Sequence, residues 1–194
     1  MIYRTLGIIA IFGLSILSGW GEDKTGFLEL FPEGLIDGEG KAVSLDVLKG
    51  KAVGVYFSAH WCGPCRRFTP KLVDYRETHK DDFEVVFVSA DRSEKDQFKY
   101  MKTAGMKWPA VQFNSTATRS LKEKFGVRGY PTLVLVNAKG MPLIADGRAW
   151  VNKGDAATKL KTASVVQEPF KCSKCDKTHY REKLVFDDAV TDAD

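Results

Sequence analysis

Val53-Gly-Val-Tyr-Phe-Ser-Ala-His-Trp-Cys-Gly-Pro-Cys65 is the stretch from which the fold can be worked out. Together with Ala52 it opens on an uncharged, largely apolar run, Ala52 to Ser58, of the kind expected for a strand buried on both faces. Beyond Pro64 the period changes. Phe68, Leu72 and Tyr75 fall at i, i+4 and i+7, one face of a helix. Pro70 lies inside this pattern, deletes one backbone bond and should kink the helix. The two cysteines therefore stand at a strand-to-helix junction, with Cys62 at the helix N-terminus.

That position carries chemistry. Unpaired backbone N–H groups and the helix dipole favour negative charge there. They lower a thiol's pKa, and only the thiolate attacks disulfides. Cys65, one turn on, can come round to face Cys62, attack a mixed disulfide and release the reduced partner. Gly63 leaves room for a substrate backbone. Pro64 suits the first turn, because the N–H it lacks would have been unpaired anyway. Trp61 offers a flat apolar surface beside the sulfur. A stapling disulfide or half a zinc site would use the cysteines but would explain neither Trp61 nor the Gly-Pro spacer.

Working outward, Phe27 to Ser44 is a lead-in with turn signals at Gly34, Asp37, Gly38 and Gly40, and Gly40-Lys-Ala-Val43 suggests the return arm of a small hairpin. Phe83 to Ser89 is a second buried strand. Ser93 is placed to cap a helix carrying Phe98 and Met101. A short strand over Ala110 to Phe113 and a helix from about Thr116 to Phe125, with Leu121 and Phe125 inward, come next. Thr132 to Val136 is a further strand, Asn137 to Gly140 a turn, Pro142 to Arg148 an antiparallel return, and Asn152 to Thr162 the last helix. Strands alternating with helices imply an α/β fold, a central sheet flanked by helices. The tight turn between the last two strands makes that sheet mixed.

The chain has 194 residues, 44% hydrophobic and 28% charged, the proportions of a globular protein with one well-packed domain. Its net charge of +4 is spread without a basic, aromatic-interleaved stripe, so nucleic acid is not an expected partner. Arg4 is followed by an uncharged run from Leu6 to Trp20, then by Gly21 and a polar stretch. That layout is expected of a secretory signal over residues 1–21. Fifteen helical residues span roughly 22 Å, short of the roughly 30 Å of a bilayer core, so no stable membrane span is expected once the signal is removed. Export, to the periplasm or the medium, follows from this reading. The domain would then run over residues 22–165, with a polar tail over 166–194.

Four ordered segments, Val53 to Cys65, Phe87-Val-Ser-Ala-Asp-Arg-Ser93, Trp108-Pro-Ala-Val111 and Phe125-Gly-Val-Arg-Gly-Tyr-Pro-Thr132, form a set with a known likeness. They resemble the thioredoxin superfamily, and most closely its nucleoredoxin and tryparedoxin branch, over about residues 42–150. It implies a thioredoxin-like fold, Cys62 as nucleophile, Cys65 as resolving thiol, and a cis Pro131 facing the sulfurs, with Tyr130 and Pro131 beside an incoming extended peptide. It implies no cofactor other than the redox-active disulfide Cys62–Cys65. Its partners would be disulfide-containing protein substrates and an electron donor that the sequence does not identify. The interval from Cys62 to Pro131 is longer than in minimal thioredoxins, which suggests an extra helix and strand between Asp91 and Phe113. Thioredoxins also carry a buried Asp six residues before the nucleophile as proton acceptor, and here that position is Tyr56. Water or Asp91 could take over that task, and His60 could tune the Cys62 thiolate.

A second pair, Cys172 and Cys175, precedes His179 in the polar tail. Those are three good ligands where structural zinc takes four. The pattern equally fits a local disulfide or an electron-relaying second redox pair. The leading expectation for the whole chain is an exported thiol–disulfide oxidoreductase, reducing rather than oxidising. The alternatives are a peptide-binding, chaperone-like module using the Tyr130–Pro131 groove, and a thiol peroxidase. Thr69 does not supply the loop arrangement that the peroxidase would need.

Overall fold

The computed structural model describes residues 25–137 and 140–154, and the backbone of two further strands over 163–171 and 178–186. The sheet is built on β3 (Ala52–Ser58), every residue of which is buried. It lies parallel to β4 (Phe83–Ser89) and antiparallel to β5 (Thr132–Val136), which pairs in turn with β6 (Pro142–Ile144), giving the order β4-β3-β5-β6. The sheet is therefore mixed, flanked by helices, as the alternation of elements in the sequence implies.

Because side chains along a strand alternate between faces, each central strand feeds two apolar clusters. Tyr56, Val85, Phe87, Leu133 and Leu135 join one, with Phe68, Leu72 and Tyr75 of α2 (Gly63–Thr78) and Tyr100 and Met101 of α3 (Glu94–Thr103). Val53, Val55, Phe57, Val86, Val88, Val134 and Val136 join the other, with Phe27 and Leu30 of α1 (Thr25–Leu30) and Ala117 and Leu121 of α4 (Thr116–Lys124). Burying each such side chain contributes about 1.5–3 kcal/mol, which is what makes an uninterrupted apolar strand the stable solution here. Glu84 is the buried exception in β4. Its carboxylate accepts from Arg76 Nε at 2.9 Å and Nη2 at 2.7 Å and lies 3.6 Å from Lys51 Nζ, tying the end of α2 to the sheet.

Elsewhere the elements shift in particular ways. The lead-in hairpin is present as β1 (Leu35–Ile36) and β2 (Ala42–Val43), and α1 precedes it where the sequence suggests only a connecting segment. Ser93 caps α3, its hydroxyl accepting from the Asp96 N–H. The expected strand at Ala110–Phe113 shrinks to one bridging residue: Ala110 pairs on one side with Ile36 and on the other with Phe87. Helix α2 runs without interruption through Pro70, which is exposed, while Thr69 before it and Leu72 two positions after it are buried. The last described helix is α5 (Arg148–Lys153), which ends at Gly154, left-handed at φ 79°, and most of the helix expected over Asn152 to Thr162 lies outside the described residues. Past it, β7 (Ala163–Lys171) and β8 (Thr178–Phe186) pair antiparallel as a separate two-stranded sheet, where the sequence reads as a polar tail. Residues 1–21, where a signal is expected, and the Cys172 and Cys175 pair lie outside the described residues, as does the side chain of His179. Among the described residues no helix is long and apolar enough to cross a membrane.

Candidate active site

The site forms where β3 ends and α2 begins. Cys62 is the N-cap residue of α2, in extended conformation at φ −83° and ψ 110°. Its sulfur accepts from the Cys65 N–H at 3.2 Å, taking up one of the amides that a helix start leaves unpaired. Gly63 and Pro64 fill the first turn, and Cys65, one turn from Cys62, is joined to it in a disulfide. The two sulfurs differ in access: Cys65 is fully buried, whereas Cys62 keeps 6% of its surface. Beside Gly63 the surface is open. Only Arg67 Nη1, at 3.8 Å, lies near the place a Cβ would occupy, so the glycine keeps a low rim beside the sulfur rather than relieving an internal clash.

A second segment closes on the sulfurs from the start of β5. The Tyr130–Pro131 peptide is cis, and Cys62 Sγ lies 3.7 Å from the Tyr130 carbonyl oxygen. Pro131 is buried and Tyr130 half-buried. Trp61 is 52% exposed, one of two large hydrophobic side chains that the described residues leave in water. It stands edge-on to the Tyr130 ring at 6.1 Å between centroids, and Lys122 Nζ lies 5.7 Å from the centre of that ring. The structure thus brings Trp61, Cys62, Gly63, Pro64, Cys65, Tyr130 and Pro131 to one place.

The groups that hold this place are less visible in the sequence. Asp91 follows β4, 31 positions from His60, and its carboxylate accepts the His60 backbone N–H at 2.7 Å and the Ser89 hydroxyl at 2.8 Å. Trp61 donates its indole N–H to the Ala90 carbonyl at 3.0 Å. The loop carrying the nucleophile position is in this way tied to the end of β4 by two hydrogen bonds. His60 turns its ring toward Tyr100, at 5.6 Å between centroids. Behind Cys65 lies a cluster of buried hydroxyls. Thr69 donates to the Cys65 carbonyl at 2.9 Å, which uses its one proton, so Tyr56 at 2.8 Å and Tyr100 at 2.6 Å must donate to Thr69. Burial pushes the Tyr56 phenol well above its ordinary value, against the opposing hydroxyls of Ser58 and Thr69, so it stays protonated at neutral pH.

A mixed four-stranded sheet with a Cys-Gly-Pro-Cys disulfide at the head of its first long helix defines a thioredoxin-fold redox protein. Residues 50–141 match the family model described as thioredoxin-like. A tryparedoxin of Trypanosoma brucei brucei is 46% identical over 99 residues, 50% of this chain and 67% of that protein. Probable nucleoredoxin 1 of Arabidopsis thaliana is 49% identical over 109 residues, 55% of this chain, and the chain spans only 18% of that relative's length. The solved tryparedoxin II of C. fasciculata superposes with a TM-score of 0.62 at 37% identity, covering 67% of this chain and 88% of that one. The chain belongs to the thioredoxin-like family, in its nucleoredoxin and tryparedoxin branch.

This kinship overturns the expectation of export. Nucleoredoxins and tryparedoxins are cytoplasmic or nuclear proteins, not exported ones. The apolarity of Leu6 to Trp20 reports only that the segment avoids water, a property that secretory signals share with other apolar segments.

Proposed function

We propose that this chain is a thiol–disulfide oxidoreductase that reduces protein disulfides through Cys62 and Cys65. The observation that carries this reading is the unequal access of a disulfide set at a helix start: Cys62 reaches the surface beside Tyr130 and Cys65 does not. In the reduced enzyme, the Cys62 thiolate attacks one sulfur of a substrate disulfide. That S–S bond breaks, a Cys62–substrate bond forms, and the departing substrate sulfur takes up a proton. Cys65 then gives its proton to solvent and attacks Cys62 Sγ. The mixed disulfide breaks, Cys62–Cys65 forms, and the second substrate sulfur leaves as a thiolate that takes a proton from solvent. Two electrons and two protons have passed to the substrate, and an external thiol reductant restores the pair.

Trp61 and Tyr130 offer the apolar surface against which a substrate chain docks, with Gly63, Pro64 and Pro131 beside the sulfurs. Tyr56 is not the acceptor of the Cys65 proton, because its own proton is held more tightly than usual by burial. Disulfides in intracellular proteins are as a rule transient and catalytic, which suits a redox pair better than a staple. Reduction of insulin disulfides by dithiothreitol, followed as turbidity, tests the assignment. Cys62→Ser should fall to the rate of dithiothreitol alone, and Cys65→Ser should accumulate a mixed disulfide visible on a non-reducing gel. Full activity in Cys62→Ser would refute the nucleophile.

A further inference from the structure

The two sides of this site differ in chemistry. Trp61 and Tyr130 make one side aromatic, and the depression around them sets one cation, Lys122, against one carboxylate, Asp91. On the other, the exposed face of α2 carries Pro64, Arg67 and Lys71, which share a groove of about 390 Å³ with Pro131, Asp146 and Arg148. No residue lines both this groove and the smaller depression around Trp61 and Tyr130. Asp146 and Arg148 neutralise each other in a two-pronged pair, Nε to Oδ1 at 2.7 Å and Nη2 to Oδ2 at 2.6 Å. Arg67 and Lys71 are exposed and have neither an ion-pair nor a hydrogen-bond partner among the described residues. Two uncancelled cations therefore stand three and seven positions beyond Pro64, on the same helix that holds the sulfurs.

We propose that this groove binds an acidic flank of the substrate: carboxylates on one side of the substrate disulfide meet Arg67 and Lys71 while the other side rests on Trp61 and Tyr130. This rests on the oxidoreductase reading and adds a substrate class to it. Charge complementarity is the argument. A polypeptide whose disulfide reaches Cys62 past Pro64 and Pro131 must cross the mouth of the groove, where a carboxylate gains two partners and a lysine meets two like charges. Each pair is exposed and so worth little singly, and together they amount to a roughly three- to tenfold preference. Salt should erase it, since the screening length falls from about 10 Å at 0.1 M to about 3 Å at 1 M.

The test uses the full chain and three peptides, each closed by one disulfide. They differ only in carrying Glu-Glu before the disulfide, Glu-Glu after it, or Gln-Gln at both places. Single-turnover reduction is read by chromatography of the peptide. One of the two acidic peptides should react roughly three- to tenfold faster than the glutamine peptide at low salt. That advantage should vanish near 1 M salt and invert in the double variant Arg67→Glu, Lys71→Glu. Equal rates for all three peptides overturn the proposal. So does equal enhancement from either flank, which is attraction by net charge alone, and so does an advantage that survives in the double variant. Reduction of the glutamine peptide separates the two levels. If it is reduced but no flank matters, the groove assignment alone falls; if the wild-type chain reduces none of the peptides, the oxidoreductase reading falls with it.

Discussion

Tyr56 occupies the place where the resemblance leads one to look for a carboxylate, and a phenol cannot do a carboxylate's work there. Its neighbours are hydroxyls, its ring is fully buried, and burial holds its proton more tightly than in water. A folded-state value above the unfolded one means that the stability from keeping this phenol neutral is fully present below the unfolded value near pH ~10 and is lost as pH rises beyond it. Tyr56→Phe removes a buried hydrogen bond and should cost about 1 kcal/mol at neutral pH. The same variant should lose stability more gradually than the wild type above that pH, and its exchange rate at Cys62 should be unchanged. Urea unfolding at neutral and alkaline pH, with an insulin assay alongside, reads all three. A collapse of exchange in the Phe variant would return Tyr56 to the chemistry. Asp91 answers a related expectation differently: its carboxylate is engaged with the His60 N–H and the Ser89 hydroxyl, which makes it a brace for the loop.

At the scale of elements, β3 is held on both edges and both faces, and Gly54 is the point where that packing is tightest. A Cβ there would stand 2.9 Å from Leu133 Cδ1 and 3.1 Å from Phe83 Cζ, both in the core between β3, β4 and β5. Neither neighbour is free to swing into solvent. Gly54→Ala should therefore destabilise the fold by about 1–3 kcal/mol through overpacking, seen as a lower urea midpoint at unchanged slope. A neutral or stabilising effect would mean that the sheet can yield at its centre. The same density explains what could be read in advance. A largely apolar run such as Ala52–Ser58 or Phe83–Ser89, the second broken only by Glu84, has one low-energy solution, a strand covered twice, so both strands were legible, as were the helix and the cysteine pair that follow β3. Ala110 was less legible, because a segment as short as Ala110–Phe113 does not say whether it pairs over one residue or four. The Asp91–His60 tether and the groove between Arg67, Lys71 and Arg148 were not legible at all. Each joins residues from separate elements, and neither end carries a local pattern that names the other.

For the molecule as a whole, everything the proposed chemistry uses lies between residues 25 and 154. That interval holds the four-stranded sheet, both apolar clusters and the disulfide, while β7 and β8 pair only with each other. The hairpin has a fully paired backbone register from Ala163 with Phe186 to Lys171 with Thr178, and it brackets Cys172 and Cys175. Two cysteines between the arms of a separate hairpin can be a local bridge or a relay, and the two differ in what their loss does to turnover. A relay must pass electrons to Cys62–Cys65, so removing it slows the multiple-turnover rate with a physiological-type thiol donor while sparing the first turnover. A local bridge affects neither. Because the described residues from 25 to 154 already bring together both sulfurs and the residues beside them, Cys172→Ser with Cys175→Ser should leave both single-turnover and steady-state insulin reduction at wild-type rates. A steady-state rate that drops with single turnover intact would make the second pair part of the electron path to the first.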